Sequence, residues 1–261
     1  MVPDKPALVL LHVMTSSDRA WDDLVPVLSG YHAVYTPNAL GHRGGEPVRH
    51  PTTMTDLVDA AERYLDRHGL EQPHLCGHSM GGQMAIELAR RGRATTVSAF
   101  SPSGFWPAGD GTPDQIGYGL RRSVRLARRA GPAVKVLVSS ARGRRIMMGT
   151  AMCHPERMTP AQARGVISDH AACTLGDGLV ITDADRVAAM DPLPCPVTIA
   201  WAENDRVLPL AKCESEVRER LPGAHFIVLP GVGHASTVDD PDLVVRTILG
   251  VTAGPPRPPS R

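Results

Sequence analysis

Short apolar runs alternate along this chain with segments of helical periodicity, and this alternation constrains the fold more than any other feature. The first run, Ala7–Leu11, is continuously apolar, which is typical of a strand buried on both faces of a sheet. The later runs are 33–36, 74–76, 95–100, 197–201 and 224–229. The helical patterns between them fall at about 17–28, 53–68, 80–91, 210–221 and 239–249. The alternation predicts an α/β protein with a mostly parallel, six-stranded sheet and helices on both faces.

The stretch 105–190 breaks this alternation. It has helical spacing at 116–130, 134–148 and 160–174 and no convincing strand. We therefore predict a helical cap, or lid, inserted into a core formed by 1–104 and 191–250. The tail 251–261 is rich in Gly and Pro and carries basic residues, and we predict that it is disordered.

Composition excludes several classes of protein. The 261 residues carry a net charge of +1, which argues against a nucleic-acid partner. No apolar stretch is long enough to cross a bilayer, so we expect no membrane partner. The five cysteines are scattered and form no CxxC, which favours reduced thiols in a cytoplasmic protein. No metal-binding or cofactor-binding motif appears, so we expect neither a metal nor a cofactor.

The segment Gly77-His78-Ser79-Met80-Gly81 lies between a predicted strand and a predicted helix. A Gly-x-Ser-x-Gly nucleophile elbow requires this setting, because the glycines let strand and helix approach closely. The serine hydroxyl then stands exposed above the strand ends, and the Met80 N–H points to where an oxyanion would form. We therefore predict that Ser79 is a catalytic nucleophile.

A serine hydroxyl is a poor nucleophile until a base removes its proton. His234 follows the sixth predicted strand in a glycine-containing loop, and its position in the chain suits that base. Asp205 follows the fifth strand and would fix the tautomer of the histidine. Glu203 is the competing acid, for which we prefer the interpretation of a solvated turn residue.

The order Ser79, Asp205, His234 resembles that of the α/β-hydrolase superfamily. Two loops add to the resemblance: 38–44 is similar to the loop after that family's fourth strand, and 201–209 is similar to its acid loop. The resemblance covers nearly all of the chain outside 105–190 and the tail. It implies an α/β-hydrolase fold in which the helical cap covers the active site and sets substrate choice.

Two features depart from the family pattern. Relatives carry His-Gly after the first buried strand, and the next residue donates the second oxyanion N–H. Here the pair is His12-Val13, so the resemblance assigns that N–H to Met14. If the position needs a positive φ, a β-branched valine is costly there and the loop takes another path. The family's N-terminal hairpin also has no room before Ala7, which means that it is missing or that the chain starts further upstream.

The predicted lid is strongly basic. Residues 115–155 include nine basic side chains and no acidic one, whereas the rest of the chain carries 19 basic and 27 acidic residues. The simpler interpretation is a solvated basic face. The alternative is attraction of an anionic substrate or partner, such as an acyl-coenzyme thioester or a carrier protein. By helical spacing, Leu120, Val124 and Ala127 form a separate apolar face.

Together these features predict a cofactor-independent serine hydrolase. It would cleave a small-molecule ester, thioester or lactone with an apolar acyl part through an acyl-enzyme. C–C bond hydrolysis and perhydrolysis on the same triad remain alternatives, and Val13 favours a third, a ligand-binding relative with little turnover. The residues that we expect to contact substrate are Val13, Thr15, Phe105, Trp106 and Met147.

Overall fold

A six-stranded parallel sheet forms the centre of the fold. The computed structural model describes residues 5–253, apart from the side chains at positions 130 and 131. The strands are β1 (Ala7–Leu11), β2 (Ala33–Tyr35), β3 (His74–His78), β4 (Thr96–Phe100), β5 (Val197–Ala202) and β6 (His225–Leu229). Their order is β2-β1-β3-β4-β5-β6, and every neighbouring pair is parallel. The predicted six-stranded parallel sheet is confirmed, with no antiparallel strand among residues 5–253.

Helices cover both faces of the sheet. The α-helices within the described residues are α1 (Val25–Leu28), α2 (Met54–Arg67), α3 (Met80–Arg90), α4 (Thr112–Leu137), α5 (Ala141–Met148), α6 (Pro160–Ala172), α7 (Leu210–Arg220), α8 (Ser236–Asp239) and α9 (Pro241–Thr252). Side chains of β1 alternate between two cores, as the two-residue period of a strand requires. Val9 and Leu11 join the core that includes residues of α2 and α3, whereas Leu8 and Leu10 join the core that includes Trp21 and residues of α9.

The predicted helix at 17–28 is wrong. The structure has a short 3₁₀ turn, Asp18–Trp21, followed by the separate helix α1. Pro26 explains the division, because proline lacks the N–H that a helix interior requires and fits only the first turn of a helix. The α-helix therefore begins at Val25, immediately before the proline.

The lid helices also differ from their predicted bounds. Gly131-Pro132 suggests a break, but α4 runs through Pro132 to Leu137. Leu120, Val124 and Ala127 are buried, as their shared face predicts, and this packing offsets the hydrogen bond that Pro132 removes. The break falls instead before Ser140, whose side chain accepts a hydrogen bond from the Gly143 amide at 3.0 Å and caps α5.

The predicted tail begins too early. Residues 251 and 252 belong to α9, and a 3.0 Å hydrogen bond joins the Thr252 hydroxyl to His32. This contact holds the last turn of the helix against the core. The predicted tail from residue 254 onward lies outside the described residues.

Candidate active site

Ser79 lies at the sharp turn between β3 and α3. Its backbone has φ 54° and ψ −113°, a strained conformation for a residue with a side chain. A Cβ on Gly77 would lie 2.1 Å from the Gly81 carbonyl oxygen, and a Cβ on Gly81 would lie 2.0 Å from the Leu11 oxygen. Only glycine fits at these positions, so the turn has the close packing of a nucleophile elbow.

His234 and Asp205 form a buried pair. The His234 Nδ1–H donates a hydrogen bond to Asp205 Oδ2 at 2.7 Å. The other carboxylate oxygen accepts from the amides of Val207 at 2.9 Å and Leu208 at 2.7 Å. Burial would raise the pKa of Asp205, but the hydrogen bond and charge of His234, with the Leu208 amide and the Ser101 hydroxyl, outweigh burial and hold it below its usual value. Asp205 is therefore a carboxylate that fixes the His234 tautomer and leaves Nε2 to accept a proton.

Glu203 has a different position. Its carboxylate accepts a hydrogen bond from the Gly231 amide at 2.8 Å, and the residue is exposed. It braces the loop that carries His234 without contacting the imidazole. The structure thus pairs His234 with Asp205, the acid that the sequence favours.

His78 is a neighbour of His234 that the sequence reasoning missed, although it lies inside the elbow motif. Its Nε2–H donates to the His234 carbonyl oxygen at 2.6 Å, and the two rings are 5.0 Å apart. Burial and the nearby His234 lower the pKa of His78 to about 3. His78 is therefore a neutral donor that holds the backbone of the second histidine.

Two further histidines hold the loop after β1. The Thr15 amide donates to His42 Nε2 at 2.9 Å, and His12 Nδ1–H donates to the Val13 carbonyl oxygen at 2.8 Å. His12 Nε2 in turn accepts from the Ala39 amide at 3.0 Å. Each ring must accept at Nε2, so both must be neutral. Burial lowers the pKa of His12, and burial together with the neighbouring, competing His12 site lowers the pKa of His42 to about 3.

In the loop after β1, Thr15 has a positive φ of 66°, and Val13 is not among the residues with a positive φ. The valine therefore does not carry the backbone strain that a positive φ would impose on a β-branched residue. The Met14 amide makes no hydrogen bond to the described protein residues. The Met80 amide is the first of α3, and the first amides of a helix have no acceptor within that helix.

A cavity of about 1250 Å³ lies between the carboxyl ends of the strands and the helical segment 105–190, the predicted lid, and both contribute to its lining. Ser79 and His234 line it, together with six of the other predicted site residues, namely Met80, Met14, Val13, Thr15, Trp106 and Met147. The lid contributes Met147, Met148, Met152 and Met158. Ser79 and His234 thus share one cavity with a largely apolar lining.

Phe105 is the exception among the predicted substrate contacts. It is 1% exposed and lies outside the cavity lining, with its ring edge-on to Trp201 at 6.5 Å. It follows β4 closely, and its side chain points into the core rather than upward. The adjacent Trp106 faces the cavity instead.

The alpha/beta hydrolase family model matches residues 8–247. The chain belongs to this family. A pimeloyl-[acyl-carrier protein] methyl ester esterase of Aromatoleum aromaticum is 30% identical, covering 96% of this chain and all of that protein. The epoxide hydrolase EphH of Mycobacterium tuberculosis is 27% identical over 74% of this chain and 91% of that protein. A thermophilic esterase from Thermogutta terrifontis has the same fold, with a TM-score of 0.71, 21% identity and coverage of 95% and 89%.

Of the nine basic residues within 115–155, three form contacts inside the helical segment 105–190. Arg144 is buried and donates to the Val138 carbonyl oxygen at 2.9 Å. Arg128 pairs with Asp177 at 3.0 Å, and Arg145 pairs with Glu156 at 3.3 Å. The others form no ion pair with the described residues, and they are Arg121, Arg122, Arg125, Arg129, Lys135 and Arg142.

No group of three His, Cys, Asp or Glu side chains within residues 5–253 is arranged to hold a metal ion. No helix in the same part of the chain is long and apolar enough to cross a membrane.

Proposed function

We propose that this hydrolase is a cofactor-independent serine hydrolase that cleaves a carboxylic ester, thioester or lactone through an acyl-enzyme. The observation that carries the proposal is the buried His234–Asp205 hydrogen bond of 2.7 Å beside a cavity that Ser79 also lines. An oriented histidine next to an elbow serine is the arrangement that activates a hydroxyl nucleophile.

The reaction begins when the Ser79 hydroxyl attacks the substrate carbonyl carbon while His234 Nε2 takes its proton. The negative charge on the carbonyl oxygen is met by the Met80 and Met14 amides. His234 returns the proton to the leaving group as the C–O or C–S bond breaks, and Ser79 is left acylated. Water then attacks the acyl carbon, His234 again takes and returns a proton, and the acid departs.

The identity of the nucleophile favours carbonyl substrates over epoxides. Serine attack on a carbonyl gives an ester, which water can hydrolyse in the second half of the cycle. Serine attack on an epoxide carbon would give an ether, which this site has no means to cleave. For this reason the similarity to an epoxide hydrolase does not lead us to propose epoxide opening.

The cavity supports an apolar acyl part. The lid methionines are unbranched and polarizable, and they adapt to apolar chains of different shapes. The six unpaired lid cations support an anionic group on the substrate or its carrier, as in the similar methyl ester esterase, whose substrate is bound to acyl-carrier protein. We therefore include a carrier-bound acyl ester among the proposed substrates. A low-turnover binder is less favoured, because Val13 carries no positive φ.

Replacement of Ser79 tests the proposal. We expect the wild-type protein to hydrolyse p-nitrophenyl esters and to react covalently with a fluorophosphonate at Ser79. Ser79→Ala should lose the labelling and at least about 10³-fold in kcat. Thermal unfolding of the variant should match the wild type, which excludes misfolding as the cause. Labelling of another serine, or ester hydrolysis that survives the substitution, would overturn the assignment.

A further inference from the structure

A second buried carboxylate lies close to the loop that carries His234. Asp239 is 0% exposed and belongs to α8, which follows the histidine directly. Its Oδ2 accepts hydrogen bonds from the Gly233 amide at 2.7 Å and the Cys153 amide at 2.8 Å. Its Oδ1 accepts from the His154 amide at 2.7 Å. One side chain therefore joins the residue before His234 to two consecutive residues of the lid.

Other contacts join the same two segments. The Ala235 amide, directly after His234, donates to the Ala151 carbonyl oxygen at 2.7 Å. The Arg157 guanidinium donates to the Asp239 carbonyl oxygen. The backbone on both sides of His234 is thus attached to the lid segment 151–157, about 80 residues earlier in the chain.

The buried carboxylate of Asp239 is central to the contact between the His234 loop and residues 151–157. A buried carboxylate is costly unless hydrogen bonds replace its hydration. Within residues 5–253 no Lys, Arg or His forms an ion pair with it, so the three backbone amides carry the compensation. Hydrogen bonds from backbone amides to a carboxylate are strong and directional. They hold Gly233, and with it the start of the His234 loop, at a fixed distance from the lid.

We propose that Asp239 is a positioning residue that sets the placement of His234 and couples it to the lid segment 151–154. The inference rests on the proposed function, because it assigns His234 the role of base. A shift of this lid segment moves the amides of Cys153 and His154, and the Asp239 carboxylate transmits that shift to Gly233. The lid that forms the acyl cavity thereby also determines whether the base lies in register with Ser79.

Asp239→Asn tests the coupling with a minimal change. The asparagine side chain has the same shape as aspartate but no negative charge. Its NH2 group is a donor, so it cannot accept a hydrogen bond from the backbone amides that it faces. Asp240→Asn is the matched control, because Asp240 is adjacent and its side chain accepts only the Leu243 amide at 2.8 Å, which caps α9. Both variants are titrated with a fluorophosphonate, so that kcat is expressed per reactive site and any unfolded fraction is removed from the comparison.

For Asp239→Asn we expect kcat per titrated site to fall by about tenfold or more, because small displacements of a catalytic group are costly. KM should stay within about twofold, since Asp239 does not line the cavity. The low-field proton resonance of the His234–Asp205 hydrogen bond should weaken or shift. Asp240→Asn should leave all three unchanged. If Asp239→Asn does not fold, Asp239→Ser, which keeps one hydroxyl acceptor, is measured in the same way.

A kcat per titrated site that stays within about twofold of the wild type, with an unchanged resonance, would overturn the proposal. A fall in the number of titrated sites alone would also overturn it, because that result describes a stabilising residue only. If the wild-type protein titrates no site, the proposed function has failed instead. The proton resonance, which needs no turnover, then decides whether Asp239 positions His234.

Discussion

Thr15 has a backbone conformation that β-branched residues rarely adopt, and a buried histidine secures it. The φ of 66° is stabilised by the 2.9 Å bond from the Thr15 amide to His42 Nε2. Protonation of His42 would replace that acceptor with a second donor and break the bond. The conformation of the loop after β1 therefore depends on a neutral ring at this position.

This dependence predicts acid sensitivity with a definite sign. Folding lowers the pKa of His42 from 6.5 to about 3, so below pH 6.5 the unfolded chain binds a proton that the folded chain does not. Stability then falls as the pH drops between these values, by up to about 1.4 kcal/mol per pH unit for each such histidine. Chemical unfolding at a series of pH values measures this slope.

Substitution of single histidines identifies the source of the slope. His42→Asn, which keeps an acceptor but does not titrate, should lower the stability while flattening its pH dependence between about pH 6 and 4. His225→Asn, at an exposed position, should leave the slope unchanged. An identical slope in wild type and His42→Asn would contradict this account.

Among the secondary-structure elements, the approach of α3 to β1 is the tightest constraint on the site. The segments that carry the Met80 and Met14 amides, which we propose as oxyanion donors, meet where Gly81 of α3 faces the Leu11 carbonyl at the end of β1. A Cβ at position 81 would lie 2.0 Å from that oxygen, and backbone cannot move aside as a flexible side chain can. Gly81→Ala must therefore separate the two elements.

We expect Gly81→Ala to destabilise the protein by about 2 kcal/mol or more. Any folded fraction should lose about 10²-fold in kcat, because separating the two elements would displace the proposed oxyanion donors, the Met80 and Met14 amides, relative to each other. Gly250→Ala in α9 is the control: no atom lies within 4 Å of its added Cβ, and it should stabilise the helix by about 0.5–1 kcal/mol. Gly81→Ala with wild-type stability and turnover would refute the proposed constraint.

The sequence predicts elements best where local and tertiary preferences agree. Ala7–Leu11 is apolar throughout and is buried on both faces, so its pattern suffices. Pro132 misleads because a local rule predicts a break, whereas packing of the α4 apolar face maintains the helix. Phe105 and Trp106 are equally apolar neighbours, and only the chain's path after β4 determines which one faces the cavity.

The same limit applies to the residues of the site. Ser79, Asp205 and His234 can be found from their order and from the strand ends that they follow. His42, His78 and Asp239 form hydrogen bonds with backbone amides and carbonyls of distant segments. Such contacts leave no periodic or spaced pattern in a single sequence. Supporting residues of this kind therefore become visible only in the folded chain.

At the scale of the whole molecule, the distribution of charge distinguishes the segment 115–155 from the rest of the chain. Six lid cations remain unpaired among the described residues, and residues 115–155 contain no acid to offset them. None of these six cations lines the cavity, so they act on a substrate only through their long-range field, which increases the local concentration of anions and is weakened by salt. The overall charge of +1 conceals this arrangement.

We therefore expect kcat/KM for an anionic ester to fall by about tenfold as ionic strength rises from about 0.02 to 0.3 M. A neutral ester of the same acyl group should change little, because only charged substrates respond to the field.

Replacing Arg122 and Arg125 with Gln should reduce the salt dependence for the anionic ester, since each substitution removes one unpaired lid cation. Arg246→Gln, which removes an exposed arginine of α9 outside the lid, should not reduce it. An equal salt response for the two esters would show that the basic lid is only a solvated surface, because steering by charge must distinguish an anion from a neutral molecule.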